Sequence, residues 1–490
     1  MKKPIEKTNK ICYNVVMTRG ELEALDKAVL IEIIIKLTEK VAEQEVKLNQ
    51  NSSNSSKPPS SDPPWNRPKS NRKPTGKKPG GQKGHKGHGL NRDLTPDVTV
   101  ELKPEICSKC GADLSGVKGR QVATRYKIDV KVKTVITMYK IYDAKCPVCN
   151  KMNSAKLPEG LRGNVQYGEG VRAISVLLTN YAMVSYDKTS KILGDVFGVK
   201  LSPGTLVNIG KEFVEKGEPL LKEIKARLES SDLIHLDETS NRVNGKNYWV
   251  HTASNSDATY NTAHEKRGQE GTDDNGVLKN FTGKAVHDCW STYFKYKNCL
   301  HCLCCGHLVR ELTAVFENTG QHWSEDMKTL LLDMKSAVDK FKEAGKERLS
   351  RYYYKKFEQE YRRIIELGEK EAPLPPKIDG KRTKRGKARC LLDRFIKFRT
   401  EIFRFAYDFS VPFTNNMAER AIRNNKSKQK VSGGFRTETG VKNFAKTSSI
   451  IGTAIKQGLS VFKTIAGVFS GTLKSIFDSD DKKQQNDAQK

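Results

Sequence analysis

No stretch of this chain is long and apolar enough to cross a bilayer. Its apolar run Ala28 to Leu37 is broken by Glu32 and Lys36, far short of the ~20 residues a spanning helix needs. Nor does a charged and apolar leader open it, so a soluble, intracellular protein with no membrane partner is expected. Acidic residues are scarce beside basic ones, 57 against 87, for a formal net charge of +30; this excludes an overall anionic surface and makes a polyanion the natural partner. Cysteines number eleven, an odd count, and most are clustered, which argues against a disulfide framework and for reduced thiols. With 36% hydrophobic and 29% charged residues much of the chain is expected to be solvated, yet 490 residues suffice for two or three domains and a substantial core.

Four cysteines are better explained by metal. Cys107-Ser-Lys-Cys110 and Cys146-Pro-Val-Cys149 are two CxxC knuckles, and four thiolates close a tetrahedral structural Zn²⁺ site. The spacer between them holds a strand-like stretch, Val122 to Tyr142, with room for two strands. A zinc staple would hold this small basic module together; the plainer alternative is two unrelated cysteine turns. A second cluster, Cys299, Cys302, Cys304 and Cys305 with His301 and His307, reads differently. The run NCLHCLCCGHL is expected to be a buried strand entering a helix, its cysteines serving as small hydrophobes rather than ligands.

Three acidic residues stand out by context: Asp237 in LIHLDET, Asp288 in GKAVHDCW and Glu419 in TNNMAERAIR. Between Ser231 and Phe294 the pattern predicts a strand Leu233 to Asp237, a turn at Asn244-Gly245, strands Lys246 to Thr252 and Ala258 to His264, a polar helical piece Asp273 to Phe281, and a strand Lys284 to Asp288. On this reading Asp237 ends the first strand and Asp288 the fourth, side by side at one edge. A helix opening at Asn415-Asn416, with Met417, Ala418, Ala421 and Ile422 inward, then delivers Glu419 near Arg420 and Arg423. Strand, strand, helix is the order expected of a ribonuclease-H-like core. Such a trio suits a phosphodiester substrate, because hard oxygen ligands hold Mg²⁺ or Mn²⁺. Without a cation, the converging carboxylates would push at least one pKa upward. The alternative is surface charge scattered over strand ends and a helix.

The flanks add binding elements. Glu21 to Gln50 has few helix breakers, and Leu30, Ile34, Leu37, Val41, Gln44 and Leu48 recur in steps of four and three; this is either a coiled-coil seam for self-association or a helix packed on its own domain. Asn51 to Gly89 is rich in Ser, Pro, Gly and Lys and is expected to be disordered when free, with Lys77, Lys78, Lys83 and Lys86 among its basic residues. Its use is nonspecific phosphate contact, or it is a solvated linker. KILGDVFGVKLSPGTLVNIGKEF reads as a helix-turn-helix with Gly198 at the turn and Ser202-Pro203 opening the second helix; DNA readout and ordinary packing both fit. Between Gly306 and Thr400 a lysine-rich helical insertion is expected, broken at PLPPK and at the basic run Lys381 to Arg389. His307 and Arg310, one turn apart, either approach a scissile phosphate or belong to a capped, solvated helix.

Taken in order, HLDET, AVHDCWSTYF, CCGHLVREL and FTNNMAERAIRNNKSKQKVSGGFRTETG resemble the transposases of the insertion sequence 66 family, and the likeness extends to the N-terminal helix, the SSNSSKPPSSD linker, the PGGQKGHKGHG stretch, the paired-cysteine segment and the helical tail. The family often has Asp where Thr414 stands, a departure that leaves Glu419 in place. The resemblance implies an α/β catalytic core, a ribonuclease-H-like mixed sheet with helices and a large helical insertion, beside an N-terminal coiled coil and a small zinc-binding β module. The expected organisation is 1–50 helical, 51–95 basic linker, 96–160 zinc module, 161–228 helical with the helix-turn-helix, 229–305 and 410–430 catalytic core, 306–409 insertion and 431–490 a basic loop, helices and disordered tail. It also implies that Asp237, Asp288 and Glu419 are the metal-binding catalytic acids, that His307, Arg310, Arg420 and Arg423 touch DNA, and that element ends are cleaved and joined to target DNA. The implied partners are double-stranded DNA, further copies of the chain and accessory proteins of the same element, in the prokaryotic cytoplasm at the nucleoid. Two other classes fit parts of the pattern: a simple ribonuclease-H-type nuclease, and an inactive or repurposed zinc-containing DNA-binding protein.

Overall fold

Two short strands, β1 (Asp143–Lys145) and β2 (Met152–Ser154), pair antiparallel around the Cys146–Cys149 turn. That turn is closed by Cys146 N–H donating to Lys151 O at 2.8 Å and Asn150 N–H donating to Cys146 O at 2.9 Å, with Asn150 at φ 56°. The first knuckle repeats the pattern: Cys107 N–H donates to Ala112 O and Gly111 N–H to Cys107 O, both at 2.9 Å, with Gly111 at φ 71°. The two strands expected within Val122 to Tyr142 do not form. Val122, Ile128 and Ile136 are 84, 73 and 92% exposed. Alternation with lysines gives this stretch strand character, but a strand needs a paired backbone and an apolar face to cover, and no described residue supplies them.

The structure, a computed structural model, describes residues 19–55, 57, 62, 63, 65, 84, 95–158, 160, 161, 163–376 and 385–478. Lys77, Lys78, Lys83 and Lys86, most of the linker, residues 381–384 of the basic run and the final tail therefore lie outside the described residues. The chain divides into two compact units, Met1–Lys69 with Tyr167–Tyr186 and Pro203–Lys490, and Ser70–Gln166 with Asp187–Ser202. The helices read as a helix-turn-helix are Tyr186–Phe197, followed by Gly198 at φ 66°, and Pro203–Lys216.

In the larger unit Asn244 and Gly245 both take positive φ, 46° and 77°, the backbone of a two-residue type I′ turn whose twist suits a hairpin. It joins β3 (Leu233–Val243) to β4 (Lys246–Ser254), and β5 (Thr259–His264), β6 (Lys284–His287) and β7 (Leu300–Leu303) complete a sheet ordered β5-β4-β3-β6-β7. β3, β4 and β5 are antiparallel neighbours, whereas β3, β6 and β7 run parallel. The polar piece before β6 is two helices, Gln269–Asn275 and Val277–Asn280, split by Gly276 at φ 73°. β3 is longer than the sequence pattern predicts. Asp237 does not end it; the strand continues because Thr239, Asn241 and Val243 alternate inward and Phe435 bridges to Val243 from far along the chain. Gly434 makes that docking possible, since a Cβ there would stand 3.0 Å from Arg242 O.

Both sheet edges are covered, which removes the unpaired backbone that invites aggregation. Helix Glu438–Lys456 lies against β5, where Ser449 and Thr453 hydroxyls accept the Asn261 and Thr259 N–H groups at 2.8 and 3.1 Å. At β7, Arg404 donates to His301 O at 3.0 Å. After β7 come helices Cys305–Thr319, His322–Glu343, Arg351–Glu371, Lys387–Lys397 and Arg399–Tyr407. Trp323, Leu331 and Phe395, fully buried, join them to Val286, Cys302 and Leu303 of the sheet in one apolar core. Helix Lys27–Leu48 contributes to no core: none of its residues is buried. Among the described residues no helix is long and apolar enough to cross a membrane.

Candidate functional site

The parallel β3–β6 ladder has His235 opposite Val286 as its last rung, and two residues further along each strand stand Asp237 and Asp288. Asp288 itself lies one residue past β6, and its Oδ1 accepts the Trp290 N–H at 2.9 Å. Glu419 sits in the first turn of helix Asn416–Ser432, whose Ala418 and Ile422 are buried as the pattern predicts. Burial first, then the charges of Glu238, Asp288 and Glu419, push the Asp237 carboxyl up to about 8. The three sequence-predicted acids thus share one electrostatic neighbourhood. An oxygen-only set that keeps a member protonated by burial and mutual repulsion fits a hard divalent cation, which would neutralise that charge.

The helix is held to the sheet by Asn415. Its side chain does not cap the helix, as the sequence had implied; instead its amide donates to Leu236 O at 2.7 Å while its Oδ1 meets His235 Nδ1 at 2.9 Å. Burial lowers His235 to about 4, so the ring is neutral and its Nδ1–H donates to that oxygen. The Asn415 backbone N–H donates to Cys304 Sγ at 3.1 Å. One side-chain amide therefore ties the strand carrying Asp237 to the helix carrying Glu419.

A fourth carboxylate went unnoticed in the sequence. Glu238 is almost wholly buried, accepts from Tyr293 Oη at 2.5 Å and pairs with Arg267 Nη2 at 2.7 Å. Burial and the Asp288 charge push its carboxyl upward against those two partners. Arg267 is sandwiched between Trp249 and Trp290, at 4.9 and 4.7 Å from their ring centres. The adjacent position in DET was the only available signal for Glu238; its partners are 29 and 55 residues away.

Cys299, Cys302 and Cys305 are buried, with burial pushing the first two thiols up to about 11 and about 12 and the third well above its ordinary value, as small hydrophobes behave. Cys304 is different. Its Sγ, a nitrogen of His307 and a carboxylate oxygen of Glu419 lie within 4.8 Å of one another, and among the described residues this is the group of three or more metal-capable donors so gathered. The neighbouring sulfur, ahead of the Glu419 charge, pushes the His307 imidazole up to about 9 against its burial. A cavity of about 220 Å³ adjoins it, lined by Asp288, Cys289, Trp290, Cys304, His307 and Arg394. Asp237, Asp288 and Glu419 do not close to that separation, nor do Cys107, Cys110, Cys146 and Cys149. Within each knuckle the N–H groups of Cys110 and Lys109 lower the Cys107 thiol, and those of Cys149 and Val148 lower Cys146. Arg310 is half-buried near His307, and Arg420 and Arg423 are exposed on the Glu419 helix.

Comparison with known families matches residues 164–443 to the Transposase IS66 family, the span that carries the sheet, all three acids and the Cys304–His307 pair. Residues 15–91 match a family of unknown function, DUF6444. Comparison with curated proteins gives no match. The first match covers more than half of the chain, and the chain belongs to the IS66 family of transposases.

Proposed function

We propose that this chain cleaves the ends of an insertion sequence and joins them to target DNA by metal-dependent phosphoryl transfer, on a ribonuclease-H-like core. The strand order β5-β4-β3-β6-β7, three antiparallel strands followed by two parallel ones, supports that reading of the core. The observation that carries the chemistry is the Asp237 carboxyl, buried and raised by the charges of both Asp288 and Glu419. Asp237 and Asp288 hold Mg²⁺ or Mn²⁺, and Glu419 completes the set. Bound there, the metal neutralises charge on the attacking and leaving oxygens and makes water a stronger nucleophile. Acid oxygens that do not all gather within 4.8 Å would suit a scheme in which Asp237, Asp288 and Glu419 do not all hold the same cation.

The remaining residues orient and hold. Asn415 sets the Glu419 helix against β3, and the Glu238–Tyr293–Arg267 network fixes the Trp290 loop that follows Asp288. His307, Arg310, Arg420 and Arg423, together with Lys77, Lys78, Lys83 and Lys86, offer positive charge to DNA phosphates. Cleavage frees a 3′-hydroxyl, which attacks target DNA in a second in-line displacement at the same site. The four knuckle cysteines hold structural Zn²⁺, supported by the N–H groups directed at Cys107 and Cys146. The unburied helix Lys27–Leu48 pairs with a second copy, since two element ends must be held together.

Strand transfer of labelled ends from the chain's own element, with Mg²⁺, compares wild type with Asp237→Asn. Joined product from the wild type alone is expected. Equal product from both defeats the catalytic assignment, and cleavage without joining reduces the protein to a nuclease.

A further inference from the structure

The Nδ1 atom of His307 is buried without a hydrogen-bond partner, an orphan that costs about 1–3 kcal/mol unless something satisfies it. It belongs to the group of Cys304 Sγ, His307 and Glu419, whose donors lie within 4.8 Å of one another. Two elements deliver them. Cys304 precedes helix Cys305–Thr319 and His307 lies in its first turn, so the Cys-x-x-His spacing puts sulfur and imidazole on one side. Glu419 comes one turn after Asn415, whose N–H donates to the same sulfur at 3.1 Å. Such a bond behind a thiolate ligand orients it and steadies its charge.

We propose that Cys304, His307 and Glu419 form a soft-cation site that takes Zn²⁺ and shares Glu419 with the hard-cation acids. Tetrahedral zinc sets sulfur, nitrogen and oxygen donors about 3.3–3.8 Å apart, so side-chain adjustments of about an ångström close the site. The adjoining cavity of about 220 Å³ leaves room for a solvent molecule as fourth ligand. Mg²⁺ does not compete, because it demands oxygen ligands in octahedral array, whereas sulfur with imidazole selects zinc. A Glu419 oxygen bound to zinc is no longer available to a hard cation at Asp237 and Asp288. Zinc occupancy therefore withdraws Glu419 from DNA cleavage, a consequence that rests on the proposed transposase chemistry; the binding itself does not.

The test counts zinc per full-length chain by equilibrium dialysis and elemental analysis in wild type, Cys304→Ala, His307→Gln and Cys302→Ala. The last removes a buried thiol outside the group. All four proteins keep the knuckle cysteines, so any zinc held there cancels. Wild type and Cys302→Ala are expected to hold one zinc more than the other two, in which affinity at this site falls by about 100-fold or more. Equal zinc content in all four overturns the site. Should Cys304→Ala fail to fold, His307→Gln, nearly equal in size, decides alone. A zinc difference in a protein that never cleaves DNA supports the site while the transposase reading falls; Mg²⁺-dependent cleavage with no zinc difference does the reverse.

Discussion

The side-chain amide of Asn415 donates to the Leu236 carbonyl at 2.7 Å, one residue before Asp237 and four before Glu419. This bond fixes the helix acid relative to the strand acid, and the same side chain satisfies His235. Asn415→Ala leaves a buried carbonyl and a buried ring nitrogen unpaired, costing about 2–3 kcal/mol of stability. Misplacing Glu419 by an ångström is expected to slow cleavage about 100-fold. DNA affinity, measured by filter binding or anisotropy, should hardly move. A variant that cleaves at the wild-type rate would show that Glu419 is placed without Asn415.

The Asp237 carboxyl, raised from the ordinary 3.8 to about 8, makes metal-free stability depend on pH. The folded state holds its proton more tightly than the unfolded chain, so stability is complete below about pH 4 and is lost as pH rises through 8. His307, raised from 6.5 to about 9, acts in the same direction at higher pH. Buried His235, lowered to about 4, acts with the opposite sign up to about pH 6.5, so the contribution of Asp237 is read as the melting temperature of the wild type relative to Asp237→Asn in a chelator, which should fall from pH 5 to 9. Millimolar Mg²⁺ should restore more of the wild-type melting temperature at pH 8 than at pH 5. A difference between the two proteins that does not fall over this range contradicts the clustered-acid geometry.

Much of this arrangement was legible in the sequence because local signals carry it. Short β-branched runs ending near acids marked β3 and β6, and helical spacing from Asn416 marked the third acid. What escaped notice depends on distant partners. The extension of β3 to Val243 requires Phe435, and the role of Asn415 requires β3, neither of which a helix-cap pattern reveals. Cys304 sat in a run of buried cysteines and read like its neighbours; only folding sets it apart, by bringing Glu419 and the Asn415 N–H to its sulfur. In Val122 to Tyr142 the alternation is genuine, but propensity without a pairing strand forms no ladder.

Lys456, at the end of the helix that covers β5, donates to Ser254 Oγ, Asn255 O and Ala258 O at 2.6, 2.6 and 2.8 Å. Burial lowers its pKa from 10.5 to about 8. Ala258 O also accepts the Asn255 N–H, so the lysine is the hydrogen-bond partner that matters for Asn255 O. Lys456→Met keeps the side-chain length and leaves that carbonyl unpaired, for an expected loss of about 2 kcal/mol by denaturant titration. The lowered pKa carries the opposite sign to that of Asp237: the wild type gains stability as pH rises from about 8 towards 10.5, and Lys456→Met should lose that gain. Unchanged pH dependence between the two proteins would place the ammonium in solvent.

Ile34, Leu37, Val41 and Leu48 are 61, 48, 56 and 82% exposed along helix Lys27–Leu48. Ile34, Val41 and Leu48 recur every seven residues, and Leu30 and Leu37 do likewise, which is the spacing of a two-stranded seam. An isolated helix of 22 residues with this composition is marginal in water; a partner that buries the seam makes it stable. Replacing both Ile34 and Val41 with Asp puts charge into that seam without touching a buried residue, so the melting of the larger unit should be unchanged. Sedimentation velocity is expected to show wild type as a dimer or higher assembly and the double variant with an association constant lower by at least about 100-fold. Joining of paired ends should fail in the double variant while single-end nicking persists. A wild type that sediments as a monomer at micromolar concentration, or a double variant that assembles equally well, would assign end pairing to another surface.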